Sequence, residues 1–164
     1  MREQLFSDEA KFSNSGGVNR HNCHYYSERN PHWQRNEELQ RQWSVNVWAG
    51  IIGNHIIGPY FFEENFNGQN YLSFLQNQLP ILLEDVVLQI RIRMWFMQDG
   101  APAHRTCDVR NYLNNVFRNQ WICLGSQTHE WPPRFPDFTP LDFFLWGYVK
   151  EKVYETEPTT IENM

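Results

Sequence analysis

Apolar positions change their spacing along the chain, and this spacing predicts the first elements. In segment 4–12 apolar and polar residues alternate, as in a β-strand with one buried face. The residues on that face are Phe6, Asp8, Ala10 and Phe12. Asp8 is therefore an acid among apolar neighbours. A turn-forming stretch at 13–17 and the segment 22–27 then predict a hairpin with a returning strand.

Three further strands are predicted downstream. SVNVWAGII at 44–52 is the third strand, and Gly53-Asn54 is predicted to turn the chain into the apolar segment HIIGPYFFE. The run at 90–98 is predicted as the fourth strand, and 121–124 as a short fifth one. The sheet would therefore have five strands.

Helical spacing separates these later strands. Segment 70–86 has apolar residues at helical intervals, with Pro80 positioned to kink or divide the helix, and 102–117 repeats the pattern. Thr139 is a predicted N-cap, with Pro140 in the first helical position of a third helix. The order predicts an α/β layered domain with a mixed five-stranded sheet, in which the first three strands are antiparallel.

Length and composition fit one soluble domain. The 164 residues include 7 Trp, 7 Tyr and 12 Phe, enough aromatic volume for a core, while 20% of the residues are charged. No run approaches the length of a membrane span, and no signal peptide is recognisable. We therefore expect a single intracellular domain over 1–164, with the polar segment 28–42 as an exposed loop excursion.

Cysteine and histidine residues raise the question of a zinc site. The residues that lie close together in sequence are His21, Cys23, His24 and His32, and the other two cysteines are Cys107 and Cys123. The cysteine count is odd and no CxxC pair occurs, which fits a reducing compartment. Strand alternation would place His21 and Cys23 on one face and His24 on the other, so a polar strand and loop is favoured over zinc.

Three aspartates lie among residues that ought to be packed: Asp8 in the first strand, Asp99 after the fourth, and Asp142 in the first turn of the late helix. If the first and fourth strands are neighbours, these acids could converge, and like charges so close repel unless a cation lies between them. Carboxylate oxygens suit Mg²⁺ or Mn²⁺. The alternatives are a capping acid at Asp142, a turn residue at Asp99 and a strand-end charge at Asp8.

A formal net charge of -5 argues against a nucleic-acid partner, because phosphate contacts normally need an excess of Lys and Arg. Two bound divalent cations would offset four of those five charges. Locally, segment 104–118 carries Arg105, Arg110 and Arg118 against the single acid Asp108. DNA therefore remains a possible partner.

Long motifs in this chain resemble a known family. QDGAPAH at 98–104 and WPPRFPDFTPLDFFLWGYVK at 131–150 are similar to the catalytic domain of mariner-type DNA transposases. FSDEAKF at 6–12 and VNVWAGIIGNHIIGPYFFE at 45–63 resemble the first and third strand regions of the same family. The resemblance covers nearly the whole chain. It implies a ribonuclease H-like fold, phosphodiester hydrolysis and DNA strand transfer.

The resemblance also implies roles for individual residues. Asp8, Asp99 and Asp142 match the catalytic triad that holds two Mg²⁺ (or Mn²⁺) ions, with Asp8 bridging both; Asp137 does not match the third acid. Candidate DNA contacts are His104, Arg105 and Arg134. The alternative for His104 is a plain helix-start residue. The alternative for each arginine is an ordinary surface position.

Partners follow from the same resemblance. The expected partners are transposon ends and target DNA, and the expected location is the nucleus. No small-molecule substrate and no membrane are expected. Segment 28–42 suggests a homodimer. The family's N-terminal helix-turn-helix domains have no counterpart before the first strand. The expectation is a domain truncated at both ends, so enzymatic activity stays open. The alternatives are a non-catalytic nucleic-acid-binding or protein-interaction remnant of the same fold.

Overall fold

The computed structural model describes residues 3–13, 43–124, 126, 129–130 and 139–155. Its elements are β1 (Gln4–Ser13), β2 (Ser44–Ile52), β3 (His55–Phe62), α1 (Gly68–Asn77), α2 (Leu79–Leu82), α3 (Leu88–Arg93), β4 (Trp95–Met97), α4 (Cys107–Val116), β5 (Trp121–Ile122) and α5 (Trp146–Tyr154). A π-helical turn, Leu141–Leu145, runs directly into α5. The predicted strand 22–27, the excursion 28–42 and the histidines considered for zinc lie outside the described residues.

Five strands form one mixed sheet in the order β3-β2-β1-β4-β5. β1 pairs antiparallel with β2, and β2 with β3, whereas the β1–β4 and β4–β5 pairs are parallel. The mixed five-stranded sheet is thus confirmed. Its third antiparallel strand is the segment after the Gly53-Asn54 turn, where Gly53 adopts a φ of +56°.

Apolar clusters cover both faces of the sheet. On one face Trp48, Phe74 and Leu113 belong to a large core contributed mainly by the sheet, α1 and α4. On the other face Phe12 packs with Leu141, Leu145 and Trp146, from the π-helical turn and α5. The sheet therefore lies between two helical layers. None of the described helices is long and apolar enough to cross a membrane.

The predicted fourth strand is mostly wrong. Residues Leu88–Arg93 form α3, and only Trp95–Met97 pair within the sheet. The alternation in IRIR is typical of a strand with one solvated face, but a strand between parallel neighbours is buried on both faces and needs a continuous apolar run. WFM supplies that run and is fully buried, whereas Ile92 is 64% exposed.

The two predicted long helices are also shorter than expected. Segment 70–86 is divided into α1 and α2, with Pro80 in the first turn of α2, as its position suggested. Asn67, which the pattern did not identify, caps α1 by accepting from the backbone amides of Gln69 and Asn70. The helix predicted from 102 begins only at Cys107, because the preceding residues form tight turns.

Leu113 and Val116 allow a matched test of this core, since both lie on α4. Leu113 is completely buried and Val116 is 53% exposed. We expect Leu113→Ala to lower the free energy of unfolding by about 2–5 kcal/mol and Val116→Ala to change it by less than about 1 kcal/mol. Urea unfolding followed by circular dichroism measures both values. Equal losses in the two variants would contradict the described packing.

Candidate active site

The parallel pairing of β1 with β4 determines where Asp8 lies relative to Asp99. Leu5 pairs with Phe96 and Phe6 with Met97. Continuing this register for two more residues brings Asp8 opposite Asp99, just beyond the end of β4. The condition that the first and fourth strands are neighbours is thus met, and Asp99 follows the last residue of β4 by two positions.

Asp8 is a buried carboxylate on the α5 side of the sheet. It is 8% exposed and lies on the same strand face as Ala10 and Phe12, which pack against α5 and the π-helical turn. The indole Nε1 of Trp146 donates a hydrogen bond of 2.8 Å to its Oδ2. Trp146 is thus a site residue that the strand pattern alone could not identify.

Asp142 belongs to a reciprocal capping arrangement at the start of the π-helical turn. The Thr139 hydroxyl donates to Asp142 Oδ2 at 3.1 Å, and the Asp142 amide donates to Thr139 Oγ1 at 3.3 Å. Pro140 occupies the cap position in the backbone, one residue later than predicted, while Thr139 supplies the capping side chain. Thr139 thus caps the Asp142 amide, whereas the Asp142 carboxylate accepts from the Thr139 hydroxyl and not from a backbone amide, so a capping acid at Asp142 stays a prediction.

Asp142 also acts on Asp8. Burial, followed by the negative charges of Asp142 and Glu9, raises the pKa of Asp8 to about 8, against the opposing effect of the Trp146 hydrogen bond. Without a cation, Asp8 therefore holds a proton at neutral pH. A divalent ion bound between Asp8 and Asp142 would remove this repulsion, so oxygen donors of the kind that Mg²⁺ and Mn²⁺ prefer are present.

Asp99 has a different environment. Its Oδ1 lies 2.7 Å from His104 Nδ1 and accepts a hydrogen bond of 2.9 Å from the Ala101 amide. Burial alone would raise the pKa of Asp99, but the hydrogen bond and charge of His104 hold it below its usual value, with a further contribution from Arg105. Asp99 thus remains ionised.

The three candidate DNA contacts have different positions. His104 is completely buried, with Nε2 located 3.1 Å from Glu9 Oε2, so its side chain has no exposed surface to offer a phosphate. This position does not support the expected phosphate contact. Arg105 is exposed beside Asp99, and Arg134 lies outside the described residues.

The structure brings two of the three aspartates together. Asp142 lies beside Asp8, whereas the carboxylate of Asp99, which follows the end of β4, contacts His104 and the Ala101 amide. Within the described ranges no group of three or more His, Cys, Asp or Glu side chains is placed to hold a metal ion. Convergence of all three acids remains a prediction. Asp8 and Asp142 are the described pair that fits a hard cation.

A mixed sheet of this strand order, covered by helices on both faces, with one acid on its central strand and another just after the neighbouring β4, is typical of a ribonuclease H-like fold. Among solved structures, the chain is similar to a pre-cleavage Mos1 transpososome, with a TM-score of 0.65 and 21% identity over 97% of this chain and 45% of that one. It is also similar to the Mos1 transposase paired-end complex with left transposon end, with a TM-score of 0.64 and 20% identity over 97% and 44%.

A third similar structure is the Mos1 transposase catalytic domain with Raltegravir and Mg, with a TM-score of 0.63 and 16% identity over 97% of this chain and 65% of that one. No family model and no curated protein matches the sequence. This chain spans less than half of the length of the matched chains in the transpososome and the paired-end complex, and somewhat under two thirds of the catalytic-domain chain. At these identities the likeness establishes the fold.

The raised pKa of Asp8 predicts how the stability of the metal-free chain changes with pH. Its pKa is about 8 when folded and 3.8 ordinarily, so between these values the folded state binds more protons than the unfolded state. The contribution of Asp8 to stability is therefore present at low pH and is lost as the pH rises from about 4 to about 8. Asp8→Asn keeps an oxygen acceptor for Trp146 and removes this loss.

We expect Asp8→Asn to be more stable than the wild type by roughly 2 kcal/mol above about pH 8, with a much smaller difference near pH 5. Urea unfolding in the presence of a chelator measures this difference at both pH values. Asp85→Asn, at an exposed acid, is the control and should show no such pH-dependent gain. A gain for Asp8→Asn that is the same at both pH values would contradict the assigned environment.

Proposed function

We propose that this chain is the catalytic domain of a mariner-type DNA transposase, which cleaves phosphodiester bonds with divalent cations and joins DNA strands. The observation that carries the proposal is the pairing of Asp142 with Asp8 on a strand whose register continues opposite Asp99. Asp8, Asp99 and Asp142 also follow the order of the family motifs, in a fold that the Mos1 transposase catalytic domain shares.

Asp8 and Asp142 would hold one Mg²⁺ or Mn²⁺ ion, and Asp8 and Asp99 a second one. Such ions, when bound, supply a water activated for attack and stabilise the leaving oxygen. A solved Mos1 catalytic domain contains Mg and another contains Mn, which supports the choice of metal. The count of two ions is part of the proposal.

The proposed reaction has two steps. Water attacks a phosphorus atom at a transposon end, and the phosphodiester bond breaks to leave a 3′-hydroxyl. That hydroxyl then attacks a phosphorus atom of target DNA, so that one P–O bond forms to the transposon end and one breaks to release a 3′-hydroxyl on the target strand. Structures of Mos1 with a transposon end and in a strand transfer complex support DNA as the partner.

The residues of this chain would position DNA and the acids. Trp146 Nε1 fixes one oxygen of Asp8, and the Thr139 hydroxyl fixes one oxygen of Asp142. Arg105, exposed beside Asp99, is available to phosphate, and Arg110 on α4 is exposed as well. Homodimerisation through 28–42 and a nuclear location remain predictions.

A second candidate is a non-catalytic nucleic-acid-binding domain of the same fold. It is favoured by the contacts of Asp99, whose Oδ1 is occupied by His104 and the Ala101 amide, and by the lack of a three-residue metal cluster among the described residues. Metal binding without cleavage, measured by calorimetry beside a nicking assay, would favour this candidate.

The test of catalysis is conversion of supercoiled plasmid to nicked circles in Mg²⁺ or Mn²⁺. We expect the wild type to nick DNA and Asp99→Asn to be slower by at least about a hundredfold, because loss of a metal-holding carboxylate removes several kcal/mol of transition-state stabilisation. Asp85→Asn is the control and should retain the wild-type rate. Equal nicking by Asp99→Asn and the wild type would refute the proposed catalytic role.

A further inference from the structure

His104 is a buried imidazole held between two acids. Its side chain has no exposed surface, although it follows the exposed Pro102 by only two residues. Nδ1 lies 2.7 Å from Asp99 Oδ1 and 3.3 Å from the Asp99 carbonyl oxygen. On the other side, Nε2 is 3.1 Å from Glu9 Oε2, an ion-pair contact without the alignment of a good hydrogen bond. One ring thus links β1 to the turn after β4.

Aromatic packing fixes the orientation of this ring. The ring of Tyr71 lies 4.4 Å from that of His104, and the ring of Phe66 approaches it edge-on at 5.8 Å. Tyr71 is itself held, since its hydroxyl donates a 2.6 Å hydrogen bond to Gln98 Oε1. The imidazole therefore cannot turn away from Asp99 without disturbing a packed core.

Strand alternation separates this contact from Asp8. Glu9 follows Asp8 in β1, so its side chain leaves the sheet on the opposite face, toward α1 and α4. The His104 contacts consequently join the same two strands that carry Asp8 and Asp99, from the face away from Asp142. His104 can thus act on Asp99 without approaching Asp8.

Both contacts described for the Asp99 carboxylate use one oxygen. His104 Nδ1 and the Ala101 amide approach Oδ1, and neither approaches Oδ2. An imidazole contact of 2.7 Å and an amide hydrogen bond on the same oxygen restrict the rotation of the carboxylate, which is how supporting groups around metal sites orient the ligands. Oδ2 is the oxygen left for another ligand.

We propose that His104 is a positioning residue that holds Asp99 by Oδ1, so that Oδ2 is kept for a divalent cation, while Glu9 holds the other side of the ring. This inference rests on the proposed function, because it needs Asp99 to bind metal. It assigns His104 a role different from DNA contact. A buried polar cluster that only stabilises the fold is the competing explanation.

Two amide variants separate these explanations. In His104→Asn the side-chain nitrogen replaces Nδ1 and can still donate to Asp99, whereas in His104→Gln it replaces Nε2 and reaches toward Glu9. Both variants lose the ring, its charge and its packing, so their losses of stability should be similar. The two differ chiefly in the donor offered to Asp99.

The measurement is Mn²⁺ affinity, obtained by titration calorimetry on chains shown by circular dichroism to be folded. We expect His104→Asn to bind Mn²⁺ within about threefold of the wild type and His104→Gln to bind it about ten- to a hundredfold more weakly. Tyr112→Phe is the control: it loses the hydrogen bond from its hydroxyl to the Leu75 carbonyl oxygen and a little stability, but it lies outside the described contacts of His104 and Asp99 and should bind Mn²⁺ as the wild type does.

Three results would be decisive against the inference. Equal affinities for His104→Asn and His104→Gln would show that the donor to Asp99 is irrelevant, and a matching loss in Tyr112→Phe would show a purely structural role. In both cases the wild type still binds Mn²⁺, so the proposed function survives. A wild type that binds no Mn²⁺ would instead overturn the proposed function, and this inference with it.

A measurement on the wild type covers the case in which neither variant folds. Nuclear magnetic resonance of ¹⁵N-labelled histidine should show the Nδ1 resonance of His104 changing saturably as Mg²⁺ is added, because a cation on Oδ2 weakens Oδ1 as an acceptor. The change should follow the same affinity as the calorimetric titration with Mg²⁺. An Nδ1 resonance that is unaltered at saturating Mg²⁺ would overturn the positioning role.

Discussion

Parallel pairing between β1 and β4 is the constraint on which the site depends. It makes β1 a central strand, hydrogen-bonded to β2 on one side and β4 on the other, and its register continues to bring Asp8 level with Asp99. Because side chains alternate along β1, adjacent acids leave the sheet on opposite faces. Asp8 therefore meets the α5 layer, and Glu9 meets the layer formed by α1 and α4.

The buried acids on the two faces of the sheet have different electrostatic environments. On the α1 and α4 face, Glu9 and Asp99 share the imidazole of His104, whose pKa is raised well above its usual value by them, although burial alone would lower it. On the α5 face, Asp8 accepts a hydrogen bond from the neutral Trp146 indole and is repelled by the charge of Asp142. Negative charge is thus balanced on one face and in excess on the other, which is where a cation would lower the repulsion.

Sequence patterns predicted the parts of this arrangement that depend on local periodicity. The alternation of apolar and polar residues in 4–12 predicted that Asp8 lies on the buried face of its strand, and the Thr-Pro helix start placed Asp142 in the first turn of a helix. Both patterns extend over only a few residues. The IRIR segment was misread, since its alternation equally suits a short exposed helix. The burial of His104 could not be predicted, because it depends on tight turns and on a contact with Glu9, 95 positions earlier in the chain.

The central claim is that Asp8, Asp99 and Asp142 hold divalent cations together. The most direct test is a crystal structure of the chain with Mn²⁺, in which anomalous scattering locates the ions. We predict manganese bound between Asp8 and Asp142, with Asp99 Oδ2 as a ligand and Oδ1 still in contact with His104. Manganese bound elsewhere, or an Asp99 carboxylate that stays out of reach of any ion bound by Asp8, would contradict the claim.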